Sequence, residues 1–486
     1  MKLPGQSDVV VVGCGIAGLS AAVSALQGGA RVTILERAPI GERGGQTRYT
    51  EAYFRMKSEH EVTDDFEQMF ANNAGGYLDP SLVHLTSEPC ERWPRIVKSM
   101  SFADPDIISA FAEAAGPTVQ WLKSFGVHFD FLPTQFLTRS QPRLLPIGGG
   151  LALVEALAAE AEKLGAAFAY ETAATQLIVD DRGAIAGVRA VGPDAVPVEF
   201  RARAVVLGCG GFEGNPEMLT RYMGPRSIYL RPICHGGHYN KGEGIRMALE
   251  IGAAPCGEYG SYHAEPIDPR SGIAEPSVFI FSYGILVNSE GRRFVDEAQS
   301  TIDACYERIT REIYSQKKGI AYAILDSRYM RIPNYKLGLR SDQPPILGST
   351  PADLAGKLGI PPTQFEATVN EYNAGCREAE FTPLELDHLS TTDVVPPKSN
   401  WAHPLDEPPY HAYPVISSNV LTFGGLKVDA HARVLNQQGD AIPGLYASGE
   451  VVGLYYTNYV GATSVMKGAV FGRFAGMHAA EYTRQE

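Results

Sequence analysis

The chain has 486 residues, more than one hydrophobic core sustains and enough for two or three domains. Its 44% hydrophobic and 20% charged residues are ordinary for a soluble enzyme, and no apolar run reaches the ~18–20 residues that span a bilayer. The net charge of −13 comes with no block of lysines or arginines, which excludes nucleic acid or an anionic membrane as an expected partner. Seven cysteines, odd in number and without a CxxC pair, read as reduced thiols rather than as a disulfide frame or a metal site. Neither a signal-peptide segment nor a twin-arginine motif stands before the first strand, so a cytoplasmic location is expected.

Val9 to Val12 is a β-branched run that breaks into Gly13-x-Gly15-x-x-Gly18. A helical stretch and a second strand follow, ending in Glu36. This grammar predicts a βαβ unit that holds a dinucleotide. Gly13 permits the tight turn, Gly15 lets backbone approach a pyrophosphate, and Gly18 lets helix and strand pack closely, with unpaired N–H groups at the helix start. Glu36 stands where a carboxylate accepts from a ribose diol.

Next comes a glycine-rich segment (41–53) that can fold back over the nucleotide, then polar-faced helices from Asp64 to Phe70 and from Asp106 to Phe125. Three glycines precede an alanine-rich helix in 147–166, and 173–191 alternates like a strand pair around Asp181-Arg182-Gly183. A buried strand in 201–212 ends in Gly210-Gly211, where backbone can again approach a ligand. A polar glycine turn and a helix occupy 236–253, with His235 and His238 flanking the turn. Beyond about residue 254 proline and tyrosine become more frequent, with an alternating segment at 284–295, a helix at 302–316 and a proline-punctuated connector at 394–409. From Pro414 the strand-and-glycine pattern returns through 421–436, IPGLYASGE (442–450) and a final helix at 465–484. The expected class is therefore α/β: a Rossmann-like, doubly wound parallel sheet from residues 1–254 and 411–486, with an inserted α+β capping domain at 255–410.

With these blocks in order, the chain resembles the flavoprotein family of fumarate reductases, succinate dehydrogenases, 3-ketosteroid dehydrogenases and tricarballylate dehydrogenases. The carriers are GxGxxG with Glu36, Gly44-Gly45-Gln46-Thr47, VVLGCGGF, YNKGEG, NSEGRRFVDE, TFGGLKVD, and IPGLYASGE followed by GATS. The resemblance implies FAD in an extended pose and a mobile cap that closes substrate against the flavin ring. It places Gly13, Gly15, Ile16, Ala17 and Gly18 at the pyrophosphate, Glu36 and Arg37 at the adenosine ribose, and Ala174 at the adenine. Gly44, Gly45, Gln46, Thr47 and Arg48 lie along the phosphates and ring, with Gly210 and Gly211 also against the cofactor. Gly449 and Glu450 meet the ribityl end, and Thr463, Ser464 and Val465 stand near the flavin pyrimidine. Succinate dehydrogenases carry a histidine that bonds FAD covalently where this chain has Gln46, so noncovalent FAD is expected.

Other departures concern substrate. Fumarate reductases hold a dicarboxylate with a histidine before TxGG and an arginine after IPGLYxxGE, and protonate it through a third cation after the GxRFxxE block. Here those places hold Leu421, Tyr459 and the arginine-free run Ala298–Asp303. A doubly charged substrate without countercharges is costly in a dry pocket, which argues against fumarate or succinate. Tyr455, Tyr456 and Tyr459 offer phenols instead, and ketosteroid dehydrogenases use tyrosines to polarise a ketone and remove the neighbouring proton. Tyr459 is the expected carbonyl or carboxylate donor, with Gly461 beside it in the substrate site. Tyr283, on an expected cap strand running toward the flavin, and His263 are candidate bases on the cap, with Tyr262 nearby. Arg48 is a candidate partner for one substrate carboxylate. Arg292 and Arg293 read as a strand turn with a solvated salt bridge.

The expected activity is FAD-dependent desaturation next to the ketone or carboxylate of a small alicyclic keto acid, such as an oxocyclohexanecarboxylate. Alternatives are a tricarballylate-type dehydrogenase, a 3-ketosteroid dehydrogenase, a fumarate-reductase-like C=C reductase, and a flavoprotein that only carries electrons. Oxygen, a quinone or a partner protein would each serve as electron acceptor.

Overall fold

A computed structural model describes residues 7–73, 79, 82, 84–102, 104–131, 142–377 and 379–485. Its first sheet has six strands in the order Arg433–Leu435, Ala441–Ala447, Ala204–Leu207, Val9–Val12, Val32–Leu35 and Ala167–Ala169. All neighbours are parallel except the first pair. Val9 lies opposite both Val32 and Ala204, so the opening strand is central and buried on both faces, as its unbroken valine run requires. The chain leaves this strand at Gly13, and the next two strands toward the antiparallel edge end at Leu207 and Ala447. The crevice beyond these carboxyl ends is where an open α/β sheet takes its ligand. A three-stranded antiparallel sheet (Ala173–Val179, Ile185–Val191, Pro197–Arg201) stands beside it and contains the turn at 181–183.

The second large sheet is built on one long strand, Tyr410–Thr422. Ile320–Leu325 and then Ile285–Asn288 extend the sheet on one side of that strand, and Tyr262–Ile267 also pairs with it antiparallel. The helix Ile302–Ser315 packs on this sheet, and Phe281, Leu286, Ile309 and Val415 form part of its core. Arg231–Pro232 joins the same sheet, parallel to Ser418–Asn419. Boundaries near 254 and 410 thus cut through a paired sheet. A 13-residue strand runs unbroken from the proline connector into TFGG, carrying cap pairing and nucleotide-side residues on one backbone.

The two ends of the chain meet in a pair of helices, Ile16–Gln27 and Ser464–Arg484. Gly472 and Gly476 make their contact possible. A Cβ on Gly472 would sit 2.5 Å from the carbonyl oxygen of Ala17, and one on Gly476 would sit 2.1 Å from that of Ala21. Gly468, one turn earlier, leaves room for the Ile16 side chain, whose Cγ2 would lie 2.8 Å from a Cβ there. A four-residue glycine spacing keeps all three on one helix face, so backbone lies against backbone. Replacing Gly472 with Val is expected to lower stability by about 1–3 kcal/mol or more through overpacking. Thermal unfolding of the apoprotein measures it; an unchanged midpoint would contradict the close contact.

Candidate cofactor and substrate site

A long cavity runs along the crevice, and its walls carry a few polar side chains among many apolar ones. At one end it is lined by Leu35, Glu36, Arg37, Thr172, Ala173 and Ala174. Glu36 is buried, and its two oxygens accept from the amides of Cys14 (2.9 Å) and Ala38 (2.8 Å). Burial pushes its carboxyl above the ordinary range, while those amides favour the carboxylate. Arg37 spans the carbonyl of Tyr239 (2.9 Å) and the carboxylate of Glu243 (2.6 Å), which fixes that wall.

The middle is the glycine turn. Gly13 has φ of +105°, and a Cβ there would lie 2.4 Å from the carbonyl oxygen of Gly208; one on Gly18 would lie 2.0 Å from that of Gly13. Gly15 differs. It adopts an ordinary φ of −75°, and a Cβ there would meet nothing nearer than 3.4 Å, so protein packing does not demand glycine. It caps the first helix with no side-chain acceptor and lines the cavity, as a pyrophosphate cradle requires.

Beyond the turn, Glu450 accepts from the amide (2.7 Å) and hydroxyl (3.0 Å) of Thr422. Glu213 lies against it and accepts from Gln46 and Asn240. Burial raises both carboxyls, and the neighbouring negative charge of Glu450 holds Glu213 well above the ordinary range. Gln46 also donates to the carbonyl of Val420 at 2.9 Å. The far end of the cavity is lined by Thr50, Cys234, Glu275, Leu421, Tyr455, Ser464, Val465 and Lys467.

Next to that end, the rings of Tyr459 and His263 lie against each other at a tilt of 32°, centroids 4.3 Å apart. The Tyr459 hydroxyl accepts from the amides of Thr463 (3.1 Å) and Ser464 (3.0 Å) and donates to the Ser464 hydroxyl (2.9 Å). It therefore sits on the positive start of the last helix. His263 is 3% exposed; its Nε2 meets the Tyr306 hydroxyl at 2.7 Å, and its Nδ1 has no partner. Burial, with the charges of Arg311 and Arg143, pushes His263 down to about 3, so it is neutral at ordinary pH. Arg143 pairs with Asp303, its Nη2 lies 3.4 Å from where a Cβ of Gly461 would be, and its buried Nε has no partner. Arg311 pairs with Glu307 at 3.0 Å, and Arg340 with Glu51 and Glu275. Burial raises Glu51 and Glu265 to about 7 and Glu275 well above its ordinary value.

Most of the expected cofactor contacts line this one cavity: Gly13, Gly15, Ile16, Ala17, Glu36, Arg37, Gly44, Gly45, Gln46, Thr47, Ala174, Gly210, Gly449, Glu450, Ser464 and Val465. Others stand elsewhere. Gly18 and Gly211 are glycine for packing, since a Cβ on Gly211 would lie 2.2 Å from Glu450 Oε1. The Thr463 hydroxyl meets Tyr455 (2.8 Å). Arg48 turns to Glu155 on the helix Gly149–Lys163 (3.4 Å), away from the cavity lining. The amide of Ser464 is taken by Tyr459 rather than left open.

Among the expected catalytic groups, Tyr283 belongs to the cap core: its hydroxyl donates to the carbonyl of Pro383 (2.7 Å), and its ring packs on Trp401. It ends a short 3-10 turn, Phe279–Tyr283, instead of lying on a strand aimed at the ring. Tyr456 is buried with its hydroxyl near Cys256 (3.4 Å) and Ser101 (3.2 Å), outside the cavity lining. Tyr262 is buried against Ser417 (3.1 Å). Arg293 is buried, pairing with Glu297 at 2.6 Å, and Arg292 is exposed. His235 meets Glu42 at 3.0 Å at the surface. Sequence reasoning missed Arg143, which precedes LLPIGGG and carries no spacing signal, and it missed Glu51, Glu275 and Lys467.

The chain matches the family described as FAD binding domain over residues 8–465. It is 27% identical over 544 residues to NADH:acrylate oxidoreductase of Vibrio harveyi, covering 98% of this chain and only 50% of that protein. Its fold superposes on the open conformation of a flavocytochrome c3 fumarate reductase with a TM-score of 0.75 at 23% identity, covering 99% of this chain and 79% of that one. It is also similar to 3-ketosteroid-Δ4-(5α)-dehydrogenase from Rhodococcus jostii RHA1 in complex with 4-androstene-3,17-dione, with a TM-score of 0.66 at 26% identity, covering 98% and 97%. The chain belongs to this flavoprotein family and FAD is its cofactor; its relatives share oxidoreduction at a CH–CH bond. No described helix is long and apolar enough to cross a membrane.

Gly15 gives a direct check. Gly15→Val is expected to leave the apoprotein folded but to abolish FAD retention, whereas Gly18→Val unfolds it. Circular dichroism and bound-flavin absorbance separate the two; flavin retained at the wild-type level in Gly15→Val would contradict the cradle.

Proposed function

We propose that the chain is an FAD-dependent desaturase that acts next to the ketone of a small alicyclic keto acid, with oxocyclohexanecarboxylate as the representative. The observation that carries this reading is the facing pair of uncharged groups, Tyr459 and His263, at the cavity end where dicarboxylate enzymes of the family place cations. The described arginines nearby already have carboxylate partners: Arg143 with Asp303, Arg311 with Glu307, Arg340 with Glu51 and Glu275. A second substrate carboxylate would find no uncompensated arginine among them, which is costly once water is excluded.

Bound FAD would supply the hydride acceptor. The residues of this chain do the rest. Tyr459, its oxygen accepting two helix amides, turns its O–H from Ser464 to the ketone oxygen and draws charge onto it. That acidifies the neighbouring C–H. His263 enters uncharged with Nδ1 open and takes the proton, while Glu265, 4.0 Å from Nε2, offsets the charge it gains. Arg143 holds the single carboxylate through its unpartnered Nε edge, replacing Arg48 in that part. Gln46, an amide already engaged by Glu213 and Val420, supports noncovalent FAD.

A second reading, reduction of the C=C bond, is favoured by the name of the acrylate-acting relative. Anaerobic mixing of the holoenzyme with oxocyclohexanecarboxylate, tricarballylate, a 3-ketosteroid and succinate tests the ordering. The keto acid is expected to bleach the flavin; no bleaching by it with rapid bleaching by tricarballylate would overturn the reading. Reoxidation of pre-reduced enzyme by an enone, without bleaching by any saturated compound, would favour the reductase. Tyr459→Phe is expected to retain FAD and slow bleaching by about 10²-fold or more, the scale of a lost oxyanion donor. A near-normal rate would remove Tyr459 from the chemistry.

A further inference from the structure

Lys467 stands in the first turn of the last helix and lines the cavity beside Ser464 and Val465. It is 2% exposed. Its Nζ donates to the carbonyl of Val452 at 2.9 Å and lies 4.6 Å from the centroid of the Tyr455 ring. One carbonyl uses one of three ammonium donors, and among the described residues no ion pair to Lys467 is formed. Buried charges are ordinarily paired, so a lysine in this position is short of a negative partner. Burial alone pulls the amine down to about 7, with Glu450 opposing from farther away. The start of the helix adds a second source of positive potential at the same wall.

Which part of the cofactor this potential faces follows from the helix geometry. Gly468 abuts Ile16 and Ala17, the pyrophosphate cradle. The Lys467 side chain instead reaches Val452 and Tyr455, and Tyr455 packs against Tyr459 on the substrate side. The amine therefore serves the ring end of the cavity, where charge changes on reduction, rather than the diphosphate, whose charge is constant.

We propose that Lys467 is the positive charge that stabilises the electron-rich, reduced state of the bound flavin and so raises its reduction potential. The inference depends on FAD in this cavity and not on the keto acid or the direction of reaction, so failure of either leaves it intact. Its measurement is the midpoint potential of the holoenzyme, by dye-equilibrated anaerobic reduction, in Lys467→Met and Lys467→Arg. Met is expected to lower the potential, with reduced FAD weakened about tenfold or more relative to oxidised FAD. Arg is expected to hold the potential close to wild type. An unchanged potential in Met, or equal weakening of both redox states, would overturn the proposal. If Met does not retain FAD, Lys467→Gln keeps a donor to Val452 without the charge and must show the same fall. FAD retained by Arg but by neither uncharged variant would assign the lysine to anchoring the diphosphate and overturn the proposal as well.

Discussion

The site depends on one close contact, the last helix lying against the backbone of the first through its glycines. Gly472 and Gly476 leave room for the carbonyls of Ala17 and Ala21. Without that approach the start of the last helix would not reach the crevice opened by Gly13, and Ser464, Val465 and Lys467 would not share a cavity with Gly15 and Glu36. Two helix N-termini then border the cavity. One begins at Gly15 with the Ile16 amide on the Thr47 hydroxyl and faces the nucleotide turn, and the other carries Tyr459 on its first amides.

This arrangement separates two electrostatic tasks. The nucleotide end works by backbone: amides hold Glu36, and Gly15 keeps the start of the first helix open to phosphate. The substrate end works by neutralisation. Arg143, Arg311 and Arg340 each meet carboxylates, and His263 is kept uncharged by burial and by two of those arginines. A site balanced in this way suits a substrate of low charge whose reactive group is a polarisable carbonyl, because an uncharged donor polarises it without needing a counter-anion.

The nucleotide half was legible in the sequence because its physics is local. A valine run, a turn needing positive φ at Gly13 and a carboxylate at the end of the next strand all lie within one βαβ unit, and the structure draws them together as the spacing implies. Gln46 and Tyr459 were found through departures from a family pattern. What escaped is non-local. Arg143 reaches Asp303 and Gly461 from distant parts of the chain, and no periodicity marks it. Tyr283 misled because an apolar segment next to a strand reads as part of the strand, whereas it closes a 3-10 turn within the cap core. Tyr456 shows the same limit: adjacent residues of a non-regular segment point in different directions, and one phenol of the pair lines the cavity while the other is buried near Cys256.

The central claim is that an uncharged phenol, not a cation, engages the substrate. It is tested most directly by a crystal structure of the FAD-loaded protein with a non-reacting cyclic ketone acid. The account predicts the Tyr459 oxygen ~3 Å from the ketone oxygen and the ligand carboxylate on Arg143. A ligand whose carboxylates are held by Arg143 and Arg340, with Tyr459 still bonded only to Thr463 and Ser464, would contradict it.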